Sequence, residues 1–142
     1  MNQKEPKVIG IGGVFFKTND PKETKEWYQK HLGLVTDQYG SLFEFRNTHN
    51  PEEINYLQWS PFQHDTDYFG DSGQDYMINY RVQNMERLVD KLKAEGVTIC
   101  DDIAEYEYGK FVHILDANGI KIELWEPVDQ VFTDMMDGKT TK

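Results

Sequence analysis

The sequence predicts an α+β fold: two βαβββ modules related by pseudo-twofold symmetry, forming a curved mixed sheet around a cleft. Three observations carry this. A strand-then-helix phrase over residues 12–34 returns over 77–97. The two helices have matching end signals, with Asp20 and Asn84 suited to N-caps and Gly33 and Gly96 to the left-handed residue after the last turn. Pro61, Gly70 and Gly73 punctuate the chain between the copies. One domain over 1–142 follows, with module 1 at 8–60, a linker at 61–74, module 2 at 75–127 and a C-terminal tail at 128–142. The cleft between duplicated modules is where a ligand belongs.

Each element has its own warrant. Over 8–18, Val14, Phe16 and Thr18 alternate with Gly13, Phe15 and Lys17, the period of a strand. Asp20, Pro21 and Glu23 open a helix over 21–32, close to a capping box, with Trp27, Tyr28, His31 and Leu32 as its apolar stripe. Residues 34–36, 41–46 and 55–59 then read as a three-strand meander, turned at Tyr39-Gly40 and at 47–53. In the second copy, 76–82 is a strand, and 85–95 is a helix with Leu88, Val89 and Leu92 inward. Residues 97–100, 108–115 and 120–125 complete it as strands. The tail carries Val128, Val131, Phe132, Met135 and Met136 at helical spacing, which suits a docked helix or a contact with a second copy.

Composition excludes several functions. The 142 residues are 38% hydrophobic and 13% aromatic, enough for a real core. A formal net charge of −10 makes nucleic acid and anionic membranes poor partners. No apolar run approaches the ~20 residues of a membrane helix, and residues 1–7 lack the apolar core of a signal segment. Cys100 is the only cysteine, so no disulfide forms within the chain, which fits a cytoplasmic protein. Beside Asp101 and Asp102 its thiolate is disfavoured, making it a poor nucleophile.

The closing hairpin is the most informative piece for chemistry. Ala117-Asn118-Gly119 suits a three-residue loop with glycine in the left-handed region. That register sets Leu115 opposite Lys121 and His113 opposite Glu123. Phe111, His113, Leu115, Lys121, Glu123 and Trp125 then share the cleft face, while Val112, Ile114, Ile122 and Leu124 face the helix layer. His113 and Glu123 are two metal ligands, an acid–base pair or a plain cross-strand pair. On the first strand of each copy, alternation turns Gly13, Phe15 and Lys17 inward, and likewise Met77, Asn79 and Arg81. Inward Lys17 and Arg81 must meet either an anionic ligand or internal acids such as Glu44, Glu105 and Glu107.

Paired βαβββ modules of this kind resemble the vicinal oxygen chelate superfamily, which includes glyoxalase I, bleomycin-resistance proteins and extradiol dioxygenases. The resemblance spans residues 8–127. It rests on Asn19-Asp20-Pro21 with Trp27-Tyr28 and His31-Leu32-Gly33, and on the stretch from Asp116 through Ile122-Glu123-Leu124, similar to the family's closing hairpin. It implies four cavity positions for a divalent metal, falling here on Gly13, Gln58, Met77 and Glu123. Glycine and a thioether are unsuited to hard or borderline dications, so the resemblance implies no metal at the usual site. It also puts Lys17 where glyoxalase I uses an arginine to hold a ligand carboxylate.

The expected function is therefore binding of a small organic molecule, anionic or aromatic, in the cleft without a cofactor. Phe15, Tyr56, Met77 and Trp125 would form apolar wall, Gln58 and Asn79 would hydrogen-bond, and Lys17, Arg81 and Lys121 would supply charge. Glu123 and His113 are the catalytic candidates. The alternative is a metal-dependent lyase, isomerase or dioxygenase using a rebuilt site of Gln58, His113 and Glu123. The tail stripe predicts a homodimer.

Overall fold

Helix α1 (Pro21–Leu32) begins and ends where its end signals lie. Asp20 is extended and its carboxylate accepts from Glu23 N at 3.1 Å, Pro21 occupies the first turn, and Gly33 closes the helix at φ 75°. The computed structural model describes residues 4–142. Residues 1–3, part of the stretch read for a signal segment, lie outside the described residues.

The remaining elements are β1 (Lys7–Thr18), β2 (Ser41–Arg46), β3 (Ile54–Gln63), β4 (Tyr76–Gln83), α2 (Met85–Ala94), β5 (Ala104–Tyr106), β6 (Gly109–Leu115), β7 (Lys121–Pro127) and α3 (Asp129–Met135). The strands form one mixed sheet in the order β2-β3-β1-β4-β7-β6-β5. β1 runs parallel to β3, and β4 parallel to β7. The central β1–β4 pair and the outer β2–β3 and β6–β7 pairs are antiparallel. The sheet curves around the cleft, and the α+β expectation holds.

Eight strands were expected and seven form. Residues 34–36 make no strand, because Val35 N donates to Thr141 Oγ1 of the tail at 2.8 Å instead of entering the sheet. Residues 97–100 shrink to a single bridge, Ile99 with Ile114. β3 runs on to Gln63 and β5 is added at the opposite edge. Asn84 stands before α2 but does not cap it through its side chain. It is left-handed at φ 56°, and Glu126 Oε1 of β7 accepts from Met85 N at 2.7 Å instead.

The two helices are unequally buried. α2 contributes Met85, Leu88 and Val89 to a core with Val82, Val112, Ile114 and Leu124, and Ile122 packs at its margin. These are the residues that alternation assigned to the helix layer. α1 buries none of its residues, leaving Trp27 53% and Leu32 60% exposed. A second cluster of Phe15, Phe69 and Met77 lies under the segment between β3 and β4.

The tail docks on its own chain. Phe132 of α3 lies 5.7 Å from the Trp125 ring and 5.5 Å from Tyr56. Thr141 then bridges to Phe43 of β2. Phe132 of the stripe therefore has a place within the chain, while Val128 and Met135 stay 46% and 52% exposed. No helix among the described residues is long and apolar enough to cross a membrane.

Candidate functional site

The hairpin forms in the expected register. Asp116 Oδ1 accepts from Asn118 N and Ile120 N, Gly119 is left-handed, and His113 pairs with Glu123 across β6 and β7. This turns both side chains to the concave face of the sheet, at the floor of a cleft of about 1050 Å³.

Glu123 is 3% exposed and accepts three donors. Asn79 Nδ2 reaches Oε1 at 2.6 Å, His113 Nε2 reaches Oε2 at 2.7 Å, and the Tyr68 hydroxyl donates to Oε2. On its other side His113 Nδ1 lies 2.6 Å from Asp101 Oδ2, and Asp101 Oδ1 accepts from His113 N at 2.8 Å. A carboxylate at each ring nitrogen requires N–H on both, so the imidazolium is the form that fits. Burial is the largest influence on His113 and works against that charge. The hydrogen bonds and charges of Glu123 and Asp101 together outweigh it, and the pKa is raised. Burial, and then the charge of Glu123, push the Tyr68 phenol far up, so it stays a donor.

Two members of this assembly come from outside the regular elements. Tyr68 lies in the stretch read as a linker. That stretch is held by the fully buried Phe69 beside it, by stacking of Tyr68 on Phe62 at 5.7 Å, and by Lys121 Nζ donating to Tyr68 O at 2.7 Å. Asp101 lies between α2 and β5. The sequence singled out Tyr68 only as part of the linker, and Asp101 only by its position beside Cys100, whose thiol is pushed up chiefly by burial.

Of the residues assigned to the site, Phe15, Gln58, Asn79, His113, Glu123 and Trp125 line the cleft together. Five do not line it. Met77 is fully buried in the core beneath Phe69, and Tyr56 bonds Thr133 through its hydroxyl at 2.7 Å. Arg81 is 3% exposed and paired with Asp129 of α3 at 3.0 and 2.6 Å. Lys17 Nζ lies 5.8 Å from the Phe69 ring centre, and Lys121 holds the Tyr68 carbonyl. The two inward cations are thus answered by a carboxylate and an aromatic face. The one acid among the partners is Asp129, rather than Glu44, Glu105 or Glu107.

Sheet register also revises the pairing of positions. β1 sets Gly13 opposite both Gln58 and Asn79, while β4 sets Asn79 opposite Glu123. Asn79, not Met77, therefore stands level with Gly13. A bulge between Ile11 and Gly13 brings Gly12 to the cleft surface, where a Cβ would collide with Asn79 Oδ1 and lie 2.8 Å from Trp125 Cε3.

A divalent metal, implied by the resemblance, does not fit this arrangement. Gly13 offers no donor, and Asn79 turns its NH₂ group to Glu123. Gln58 turns its NH₂ to Ser60 Oγ at 3.0 Å. His113 has no free nitrogen, and it already meets Glu123 as a cation would. Among the described residues no three His, Cys, Asp or Glu side chains converge on a common point.

Comparison with known proteins adds the following. A family model described as Glyoxalase/Bleomycin resistance protein/Dioxygenase superfamily matches residues 10–124. No curated protein matches the chain. Among solved structures, the chain is similar to methylmalonyl-CoA epimerase from Mycobacterium tuberculosis, with 20% identity, 89% of this chain and 93% of that one covered, and a TM-score of 0.59. It is also similar to a variant of the Streptomyces coelicolor methylmalonyl-CoA epimerase in complex with 2-nitronate-propionyl-CoA, with 15% identity, 86% and 99% covered, and a TM-score of 0.62. At these identities the likeness is one of fold.

Proposed function

Because the chain belongs to the Glyoxalase/Bleomycin resistance protein/Dioxygenase superfamily, we propose that its cleft holds a small organic molecule, and does so without the divalent metal common in that superfamily. The observation that carries this is the state of Glu123. The carboxylate at the cleft floor already has an imidazolium, a phenol and an amide as partners. A dication would have to displace them. The expected anionic ligand has lost its support, since neither Lys17 nor Arg81 lines the cleft.

The alternative, a metal-dependent lyase, isomerase or dioxygenase on Gln58, His113 and Glu123, has weaker support because His113 presents no unoccupied nitrogen. Purification without chelators followed by metal analysis separates the two. We expect no tightly held equivalent of any transition metal. One equivalent per chain, lost on His113→Ala, would overturn the metal-free reading.

A homodimer is part of the proposal, now on a different surface. It is supported by the exposed apolar side chains of α1 and the first half of β1. A cytoplasmic location is supported by the lone, exposed thiol of Cys100.

A further inference from the structure

We propose that the molecule held in the cleft is an organic cation with a planar, largely apolar body, its N–H group directed to the unpartnered Oδ1 of Asn79 at the floor. This rests on the reading of the cleft as a ligand site and names the chemistry that site would select.

Three independent features of the cleft converge on that class. The first is charge. Asp37, Asp101, Asp102 and Glu123 line the cleft, against His113 alone. No lysine or arginine lines it among the described residues. The nearby basic groups are engaged elsewhere: Arg81 with Asp129, Lys121 with the Tyr68 carbonyl, and Lys25 with the carbonyls of Asp37 and Gln38 at 3.1 Å each. His113 offsets one of its two flanking carboxylates, so the lining stays net negative. In a concave, partly apolar site that field is focused and favours a cation over a neutral molecule of the same shape.

The second feature is a continuous aromatic wall. Tyr106 stacks on Tyr108 at 5.4 Å with planes 8° apart, and Phe111 stacks on Trp125 at 5.8 Å with planes 7° apart. Tyr108 joins the two pairs through Phe111 at 5.6 Å. Phe132 of α3 stands edge-on to Trp125. All five rings line the cleft. Flat rings with electron-rich faces hold a flat cation by stacking and by attraction to the ring quadrupole.

The third feature is an acceptor without a donor. Asn79 lines the floor, is 2% exposed, and its Oδ1 is buried with no hydrogen-bond partner among the described residues. Its NH₂ is committed to Glu123, which fixes the oxygen on the opposite side, packed where a Cβ of Gly12 would stand. A buried amide oxygen costs about 1–3 kcal/mol when left unpaired, and an ammonium or amidinium N–H satisfies it.

The test uses three probes with one flat body and three charges: 1-pyrenemethylammonium, 1-pyrenemethanol and 1-pyrenecarboxylate. Each is titrated calorimetrically at low salt, with the Trp125 indole N–H followed by NMR to report occupancy of the cleft. The ammonium should bind about tenfold or more tightly than the alcohol, with the carboxylate weakest. Asp102→Asn, an exposed change that loses no hydrogen bond among the described residues, should narrow the ammonium preference. Tyr106→Leu, also exposed, should weaken all three, the ammonium most. Cyclohexylmethylammonium, which has the charge without the plane, should bind weakly. If all three pyrenes move Trp125 with equal affinity, or the carboxylate binds best, the cation inference falls and the cleft remains a ligand site. If none moves Trp125, both readings fall.

Discussion

His113 Nε2 and Glu123 Oε2 meet at 2.7 Å across the β6–β7 hairpin, and the far nitrogen of the same ring meets Asp101 at 2.6 Å. An imidazolium is thereby held between two carboxylates at the floor of a cleft. The arrangement stores a proton and a positive charge where a bound molecule would meet them.

That proton makes stability depend on pH. The folded pKa of His113 lies above its unfolded value of about 6.5. The stabilisation is therefore fully present below about pH 6.5 and is lost as pH rises through the folded value. The melting temperature should decline across this range, measured below the pH at which Cys100 titrates. His113→Gln should lower stability at acidic pH and flatten the decline. An equal slope in both proteins would mean that the ring does not carry the effect.

Glu123→Gln tests the same assembly from the other side. The amide group brings two N–H donors to a site whose three neighbours are donors already. At least one buried donor must lose its partner, at about 1–3 kcal/mol. Urea unfolding should register that loss. Glu123→Asp, which keeps the charge but shortens the reach, should cost stability through packing while retaining the pH dependence attributed to His113. A Glu123→Gln protein as stable as wild type, with unchanged probe affinity, would show that the carboxylate matters to neither fold nor cleft.

Arg81 and Asp129 tie the tail to the sheet. The guanidinium is almost wholly buried, donates twice to Asp129 and once to Tyr56 O at 3.2 Å, and lies 5.4 Å from the Trp125 ring centre. Asp129→Ala would strand it, and breaking such a buried pair from one side costs about 3–5 kcal/mol. The double change Arg81→Met with Asp129→Leu should be much milder, because no charge is left unpaired. Limited proteolysis should find the tail more susceptible in Asp129→Ala than in the double variant. Equal protection in both would exclude the pair as the anchor of α3.

Local chemistry made some of this readable from the sequence. The limits of α1 and the His113–Glu123 register follow from caps and turn residues that act over a few positions, so Asp20, Gly33 and Gly119 could be read directly. Asp101 and Tyr68 could not, since both sit on irregular segments whose course is set by distant contacts such as Lys121 to the Tyr68 carbonyl. Alternation turned Lys17 and Arg81 toward the cleft, yet neither lines it, because alternation does not say what else packs on that face. Asp129 lies 48 residues from Arg81 in sequence and reaches it only because α3 folds back. The offset between Met77 and Asn79 arises because Gly13 stands seven residues before Asp20 but Asn79 only five before Asn84, which matching the two copies by their helix starts hides.

The last prediction concerns the face left bare by α1. α1 buries none of its residues fully and meets the sheet mainly through the Tyr28 ring, 4.7 Å from Trp59. Trp27 and Leu32 lie open on it, and Val8, Ile9 and Ile11 are more than two-fifths exposed on β1. The opposite helix, α2, has a full apolar core beneath it. A second copy of the chain covering α1 and β1 would remove the asymmetry. Sedimentation at micromolar concentration should therefore give a dimer, and Trp27→Glu with Leu32→Glu should give a folded monomer. Removing residues 128–142 should instead lower the melting temperature, because Phe132 and Asp129 pack within their own chain. A monomeric wild type would refute the dimer, and a truncated chain that dissociates without loss of stability would return the tail to the interface and sink the assignment to α1.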